Sequence, residues 1–178
     1  GWILEIRKNG HAAVLHDIHG PLHALALDLV GRISTSEWWL RFPSALAGAA
    51  AVPLLGLLGR ALWGPACGLL GAALLVVSPF ALYYAQECRN YAFSILCAVL
   101  VLFAARRFAA QATVRRGIGV ALAALGAIGS NLNGLFLVGG VGLWGLAALW
   151  ARRGALRGWM LVHVVVALLV LPYGWGIT

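Results

Sequence analysis

Five long stretches without a charged residue dominate the chain: residues 42–59, 61–86, 90–105, 117–151 and 158–178. A helix needs roughly 20 mostly apolar residues to cross a bilayer. The longest stretch would measure about 52 Å as one helix, too much for a single crossing. The segment GSNLNG at 129–134 interrupts it with turn formers, which predicts a tight hairpin of two helices. Its first limb reaches spanning length if it begins near Ala112 and lets Arg115 and Arg116 snorkel to the surface. The pattern therefore predicts an all-α, polytopic integral membrane protein. An outer loop at 1–40 precedes a membrane module at 41–178 with about six helices, over 41–59, 64–83, 90–107, 112–130, 134–151 and 158–173.

One further apolar pattern falls outside these spans. In PLHALALDLVGRI, residues 21–33, Leu22, Leu25, Ala26, Leu29, Val30 and Ile33 share a helical face, while His23, Asp28 and Arg32 lie off it. Pro21 suits a first turn. The segment is too short and too charged to cross, so it is expected to lie flat in the outer interface.

Composition strengthens the membrane reading. Hydrophobic residues make up 62% of the chain and charged residues 10%, against about half and a quarter in soluble domains. The net charge of +8 does not point to nucleic acid, because the basic residues come as short, separated pairs rather than as one stripe. They fit the cytoplasmic bias of Lys and Arg in membrane proteins instead. With a hairpin at 129–134, Arg60, Arg106, Arg107, Arg115, Arg116, Arg152, Arg153 and Arg157 all fall on the inner side without a single acid. All five acids, Glu5, Asp17, Asp28, Glu37 and Glu87, fall on the outer side. Cys67, Cys88 and Cys97 form no close pair or metal-ligand cluster and read as packing residues.

The polar residues gather in short outer stretches, each open to a plain structural reading. HDIHGP, His16 to Pro21, could be a solvated loop capping the flat helix; zinc could use such residues, but no second cluster completes a site. YYAQECRNY, Tyr83 to Tyr91, could be a charged turn flanked by an aromatic belt. Against that, ionisable groups at a membrane boundary are often functional, and Gln86 adds a directional hydrogen-bonding amide. EWWLRFPSA, Glu37 to Ala45, reads as interface anchors, with Arg41 equally suited to a lipid phosphate. His163 reads as a satisfied core histidine, and the Gly64-x-x-x-Gly68 pattern as close helix packing.

Three of these stretches together carry a resemblance. DIHGPLHALALDL resembles a D-x-H-P-P-L stretch, LRFPSALAGAAAVPLLGLLGR an R-[LF]-P-S-A span ending in G-R, and SPFALYYAQECRNYAF an S-P-x-x-x-Y-Y-x-Q-E-x-R-x-Y run. In this order and spacing, residues 16–107 resemble the protein-mannosyltransferase-like branch of the GT-C membrane glycosyltransferases, the group that includes the bacterial aminoarabinose transferases. The resemblance implies an enzyme of the cell inner membrane. It would move a sugar from a polyprenyl-phosphate donor to an acceptor hydroxyl at the extracytoplasmic face, by inverting displacement. By motif position, Asp17 and Glu87 are the candidate catalytic carboxylates, and His19, Arg41, Gln86, Arg89 and Tyr91 the candidate substrate-binding residues. His16, Asn131 and Asn133 stand beside them as further site residues. A divalent cation is compatible with the resemblance, although no strong ligand set for one is visible. The implied partners are membrane lipid and the lipid-linked donor, with the acceptor left open among protein, lipid and glycan.

The departures are specific. Gly20 replaces the first proline of the pair, SNLNG stands where relatives carry a T-H-Y-like turn, and the W-x-D-E stretch with the usual catalytic acid is not visible. Both ends read as cut, so the resemblance implies a base upstream of Gly1. A transporter or lipid flippase is the alternative. It would need polar groups near the midplane, where the chain offers His163 and a few hydroxyls. A non-catalytic scaffold would leave the polar stretches without a role.

Overall fold

The computed structural model describes residues 21–175, which form eight helices and, among the described residues, no strand. Helix α1 (Pro21–Gly31) lies across one end of the bundle, and α2 (Glu37–Trp63) runs from that end to the other. Ser36 holds the extended N-cap conformation before α2, with Glu37 in its first turn, where an acid complements the helix dipole. At 27 residues α2 is about 40 Å long.

Gly64 ends α2 with φ +96°, and Pro65 opens α3 (Pro65–Val76) in the next position. No Cβ-bearing residue adopts that backbone comfortably, and proline suits a first helical turn. Gly64 is thus a turn residue rather than a packing residue, in contrast to the expectation from the Gly-x-x-x-Gly pattern. Gly68 does make the close approach: a Cβ there would stand against the Gly56 carbonyl and 2.8 Å from the Arg60 nitrogen. Small residues thus let α2 and α3 pack backbone to backbone.

Where one span over 64–83 is expected, two helices occur. Helix α3 stops at Val76 and α4 (Pro79–Gln86) leaves it at 56°. Pro79 cannot continue the α3 ladder, and the Ser78 hydroxyl caps the new helix by accepting from the Ala81 N–H at 3.3 Å. Helix α5 (Tyr91–Ala110) then returns as a full span. The predicted hairpin follows as α6 (Val114–Ser130) and α7 (Gly134–Ala148), and α8 (Arg153–Trp175) closes the described chain. The break falls at Asn131–Asn133, where the Asn131 Oδ1 accepts the Asn133 N–H at 2.9 Å. Helices α6 and α7 have 17 and 15 residues, about 25 and 22 Å, short of the ~30 Å hydrocarbon core. Among the described residues three helices, α2, α5 and α8, are long and apolar enough to cross alone, and the bent α3–α4 pair would make a fourth if it forms a single span.

The core lies among α5, α6, α7 and α8, around Trp159, Leu149, Val101 and Val120. The Trp159 indole donates to the Gly142 carbonyl at 3.1 Å and packs against Phe108 and His163. His163 Nδ1 lies 3.0 Å from the Trp159 carbonyl; the ring is hydrogen-bonded but half-buried, at the edge of the core rather than within it. Outside this core the surface is greasy: Leu69, Phe136 and Leu143 are 75%, 83% and 70% exposed. Exposed apolar surface on that scale belongs in lipid.

Candidate active site at the acid-bearing end

Three connections meet at one end of the bundle: the entry to α2, the α4–α5 turn and the α6–α7 turn. The Ser44 hydroxyl, fully buried in α2, donates to the Arg89 carbonyl at 3.2 Å. The Cys88 thiol faces the Leu40 carbonyl at 3.4 Å. The buried Asn90 amide donates to the Ser130 carbonyl at 2.8 Å. The Ser94 hydroxyl lies 3.2 Å from the Asn90 carbonyl and 3.4 Å from the Ser130 hydroxyl. These contacts hold residues 87–90 against both α2 and α6. Asn90, Ser44 and Ser130 were not singled out by sequence reasoning. An asparagine before an apolar run reads as an ordinary helix start, and nothing local signals that its amide reaches across to another helix.

Arg41 lies in the first turns of α2 and pairs with Glu37, four residues earlier. In the α4–α5 turn, Glu87 lies 3.4 Å from Arg89. With the Asp28–Arg32 pair at 2.6 Å, every described acid stands at this end beside an arginine. Burial pushes the Cys88 thiol pKa up; the Arg41 charge opposes that shift and Glu87 adds to it. The thiol thus lies within the fields of both charged groups.

Arg41 and Gln86 line a concavity of about 240 Å³ with Trp38, Phe42, Ala45 and Ala85. A second concavity of about 260 Å³ shares Ala45, Ala85 and Gln86 with it and continues past Gly48, Val52, Leu75 and Leu82. A cationic and amide-bearing mouth therefore opens into an apolar trough between α2 and the bent α3–α4 pair.

The remaining candidates divide. Tyr91 packs its ring on Tyr84 at 4.3 Å, below the turn that carries Glu87 and Arg89. Asn131 spends its side-chain oxygen on its own turn, and Asn133 is exposed. Both lie next to Ser130 at this end rather than in the Arg41 concavity. His16, Asp17 and His19 lie outside the described residues. Among the described residues, no three His, Cys, Asp or Glu side chains come together.

Helices of spanning length and lipid-facing apolar surface define a polytopic membrane protein, with a polar cluster at one end of its bundle. The family model for dolichyl-phosphate-mannose-protein mannosyltransferases matches residues 18–175, and the chain belongs to that family, of the GT-C glycosyltransferase type. No curated protein and no solved structure is significantly similar to it.

Proposed function

We propose that this chain moves a hexose or pentose from a polyprenyl-phosphate donor to an acceptor hydroxyl at the extracytoplasmic face of the cell inner membrane. The observation that carries the reading is the paired concavity: Arg41 and Gln86 at a polar mouth, continuous with an apolar trough. A lipid phosphate has those two halves. Its phosphate suits the planar guanidinium of Arg41, and the start of its prenyl tail suits the wall of Val52, Leu75 and Leu82.

In the proposed reaction the acceptor oxygen attacks the anomeric carbon from the face opposite the phosphate. A carboxylate takes the hydroxyl proton. The bond from the anomeric carbon to the phosphate oxygen breaks, its electron pair leaves on the polyprenyl phosphate, and the configuration inverts. Arg41 and Arg89 stabilise the charge gathering on the departing phosphate, the kind of preorganised contribution that dominates many enzymes. Asp17 and Glu87 are the carboxylates proposed for proton transfer. Glu87 also pairs with Arg89, so it couples any proton it takes to the position of a phosphate-binding group.

Transport is disfavoured by the one broken helix among the described residues. The bend between α3 and α4 is capped by its own Ser78, and the trough beside it is apolar, so the unwound backbone presents no polar substrate site of the kind transporters build there.

The test is a transfer assay on the full-length enzyme, with polyprenyl-phosphate mannose compared against other lipid-linked sugars. Arg41→Ala and Glu87→Gln should each lower kcat/KM by about 10²-fold or more while membrane insertion is unchanged, and Arg41→Lys should restore only part of the loss. Full transfer by both Arg41→Ala and Glu87→Gln rejects the assignment.

A further inference from the structure

A second groove lies away from this site, between α5 and α6. It encloses about 760 Å³ and runs from Cys97 and Gly126 down to Arg107, Arg115 and Arg116. Its wall is apolar and built partly of small residues; a Cβ added at Gly119 would meet nothing within 4 Å. Ten residues separate Arg107 from Cys97 along α5, about 15 Å of helix, which is one leaflet of a ~30 Å hydrocarbon core. The mouth is cationic. Arg116 donates to the carbonyls of Arg107 at 2.9 Å and Gln111 at 3.2 Å, which fixes its guanidinium there and satisfies the end of α5. Arg107 is exposed over the Phe103 ring, 5.7 Å from its centroid, and Arg115 is exposed beside the groove.

No acid follows Glu87 in the chain, so the helices that form this mouth contain no carboxylate to balance it. The geometry points to an anionic phospholipid of the arginine-side leaflet as the occupant, one acyl chain lying along Leu100, Ala104, Gly119 and Leu122 and its phosphate at Arg107, Arg115 and Arg116. Three cations in one place and a leaflet-deep apolar channel below them match the two halves of that ligand. Basic pockets between membrane helices recognise anionic head groups on this principle. The site is independent of the donor site proposed above and lies at the opposite end of the bundle.

The test is native mass spectrometry of the full-length protein titrated with phosphatidylglycerol or phosphatidylcholine of identical chains. Retention should favour phosphatidylglycerol. Arg107→Gln and Arg115→Gln should each weaken its retention about fivefold and leave phosphatidylcholine unchanged. Gly119→Leu projects into open space and should reduce retention of both lipids. Equal retention of the two lipids by the unaltered protein overturns the proposal, and so does selectivity that survives the double arginine variant. Competition by soluble glycerol phosphate without any effect of Gly119→Leu would mean that a free phosphate is the ligand. A photo-activatable side chain replacing Leu122 should cross-link to phospholipid; capture of another polypeptide segment or of a second copy overturns the lipid assignment.

Discussion

Asn90 shows how one buried amide can position charged neighbours it does not touch through its own side chain. Glu87 and Arg89 lie on a short turn, and a turn at a membrane surface is held only by what its backbone and neighbours can reach. The Asn90 side chain supplies that hold through its 2.8 Å bond to the Ser130 carbonyl, while Ser44 grips the Arg89 carbonyl from the other side. Asn90→Ala would remove the bond to Ser130 and leave its buried carbonyl without that donor, a loss of about 1–3 kcal/mol. Thermal unfolding in a fixed detergent should show that loss, and Asn90→Asp should lose more because a carboxylate cannot donate to a carbonyl. An unchanged melting temperature for both variants would mean that the turn is held elsewhere. The arginines, Glu87 and Gln86 of this cluster stood out in the sequence, since such polar groups at a membrane boundary call for an explanation. Asn90 and the serines were not, because their importance lies in reaching residues 40 or more positions away.

At the scale of elements, α1 shows what periodicity conveys and what it leaves out. The apolar stripe of Leu22, Leu25, Ala26, Leu29, Val30 and Ile33 is evident in the sequence, but apart from Leu22, which packs on the core, its large side chains are not the ones that dock on the protein. His23, Ala24, Leu27 and Gly31 are buried, while Leu25, Leu29 and Ile33 are 46%, 65% and 69% exposed. In a soluble protein the greasiest face turns inward. Beside a bilayer it can turn to lipid, and smaller residues meet neighbouring helices. Pattern alone does not tell these two apolar surroundings apart. The same ambiguity surrounds the hairpin: its turn was legible at 129–134 from glycine and asparagine, whereas the shortness of its second limb was not, because the uncharged run continues to 151, past the end of α7 at Ala148.

The docked face of α1 has a measurable consequence in acid. His23 packs edge-on to Phe93 with ring centroids 5.6 Å apart, and its Nε2 has no hydrogen-bond partner. Burial lowers its pKa from 6.5 to about 4. Between those values the unfolded chain binds a proton that the folded one refuses, so stability falls as pH drops from 6.5 towards 4. The full loss is on the order of 3 kcal/mol. Melting temperatures measured from pH 7 to pH 4 should fall across that window, and His23→Leu should flatten it. An equal acid loss in the variant would assign the titration to another group.

The whole molecule is electrically lopsided, and that asymmetry argues for its orientation. Among the described residues one end holds Asp28, Glu37 and Glu87, each beside an arginine. The other end gathers basic side chains: Arg116 reaches the Arg107 carbonyl and Arg152 the Ala109 carbonyl at 2.5 Å. Unbalanced arginines favour the cytoplasmic side, which would turn the Arg41 concavity outward, towards the face where an acceptor is proposed to arrive. Cys88 reports on both points at once, since it lies in the α4–α5 turn while Cys97 is buried and Cys67 lies near the α2–α3 turn, at the other end of the bundle. In a Cys67→Ser protein, a membrane-impermeant maleimide should label Cys88 from the extracytoplasmic side alone. Because burial raises the Cys88 thiol pKa, and only the thiolate reacts, the labelling rate should keep climbing as pH rises past 9. Polyprenyl phosphate bound at Arg41 would neutralise the cation that opposes the upward shift of the Cys88 thiol, so adding it should slow the reaction at fixed pH. Labelling from the cytoplasmic side would reverse the orientation, and labelling indifferent to polyprenyl phosphate would separate Cys88 from the donor site.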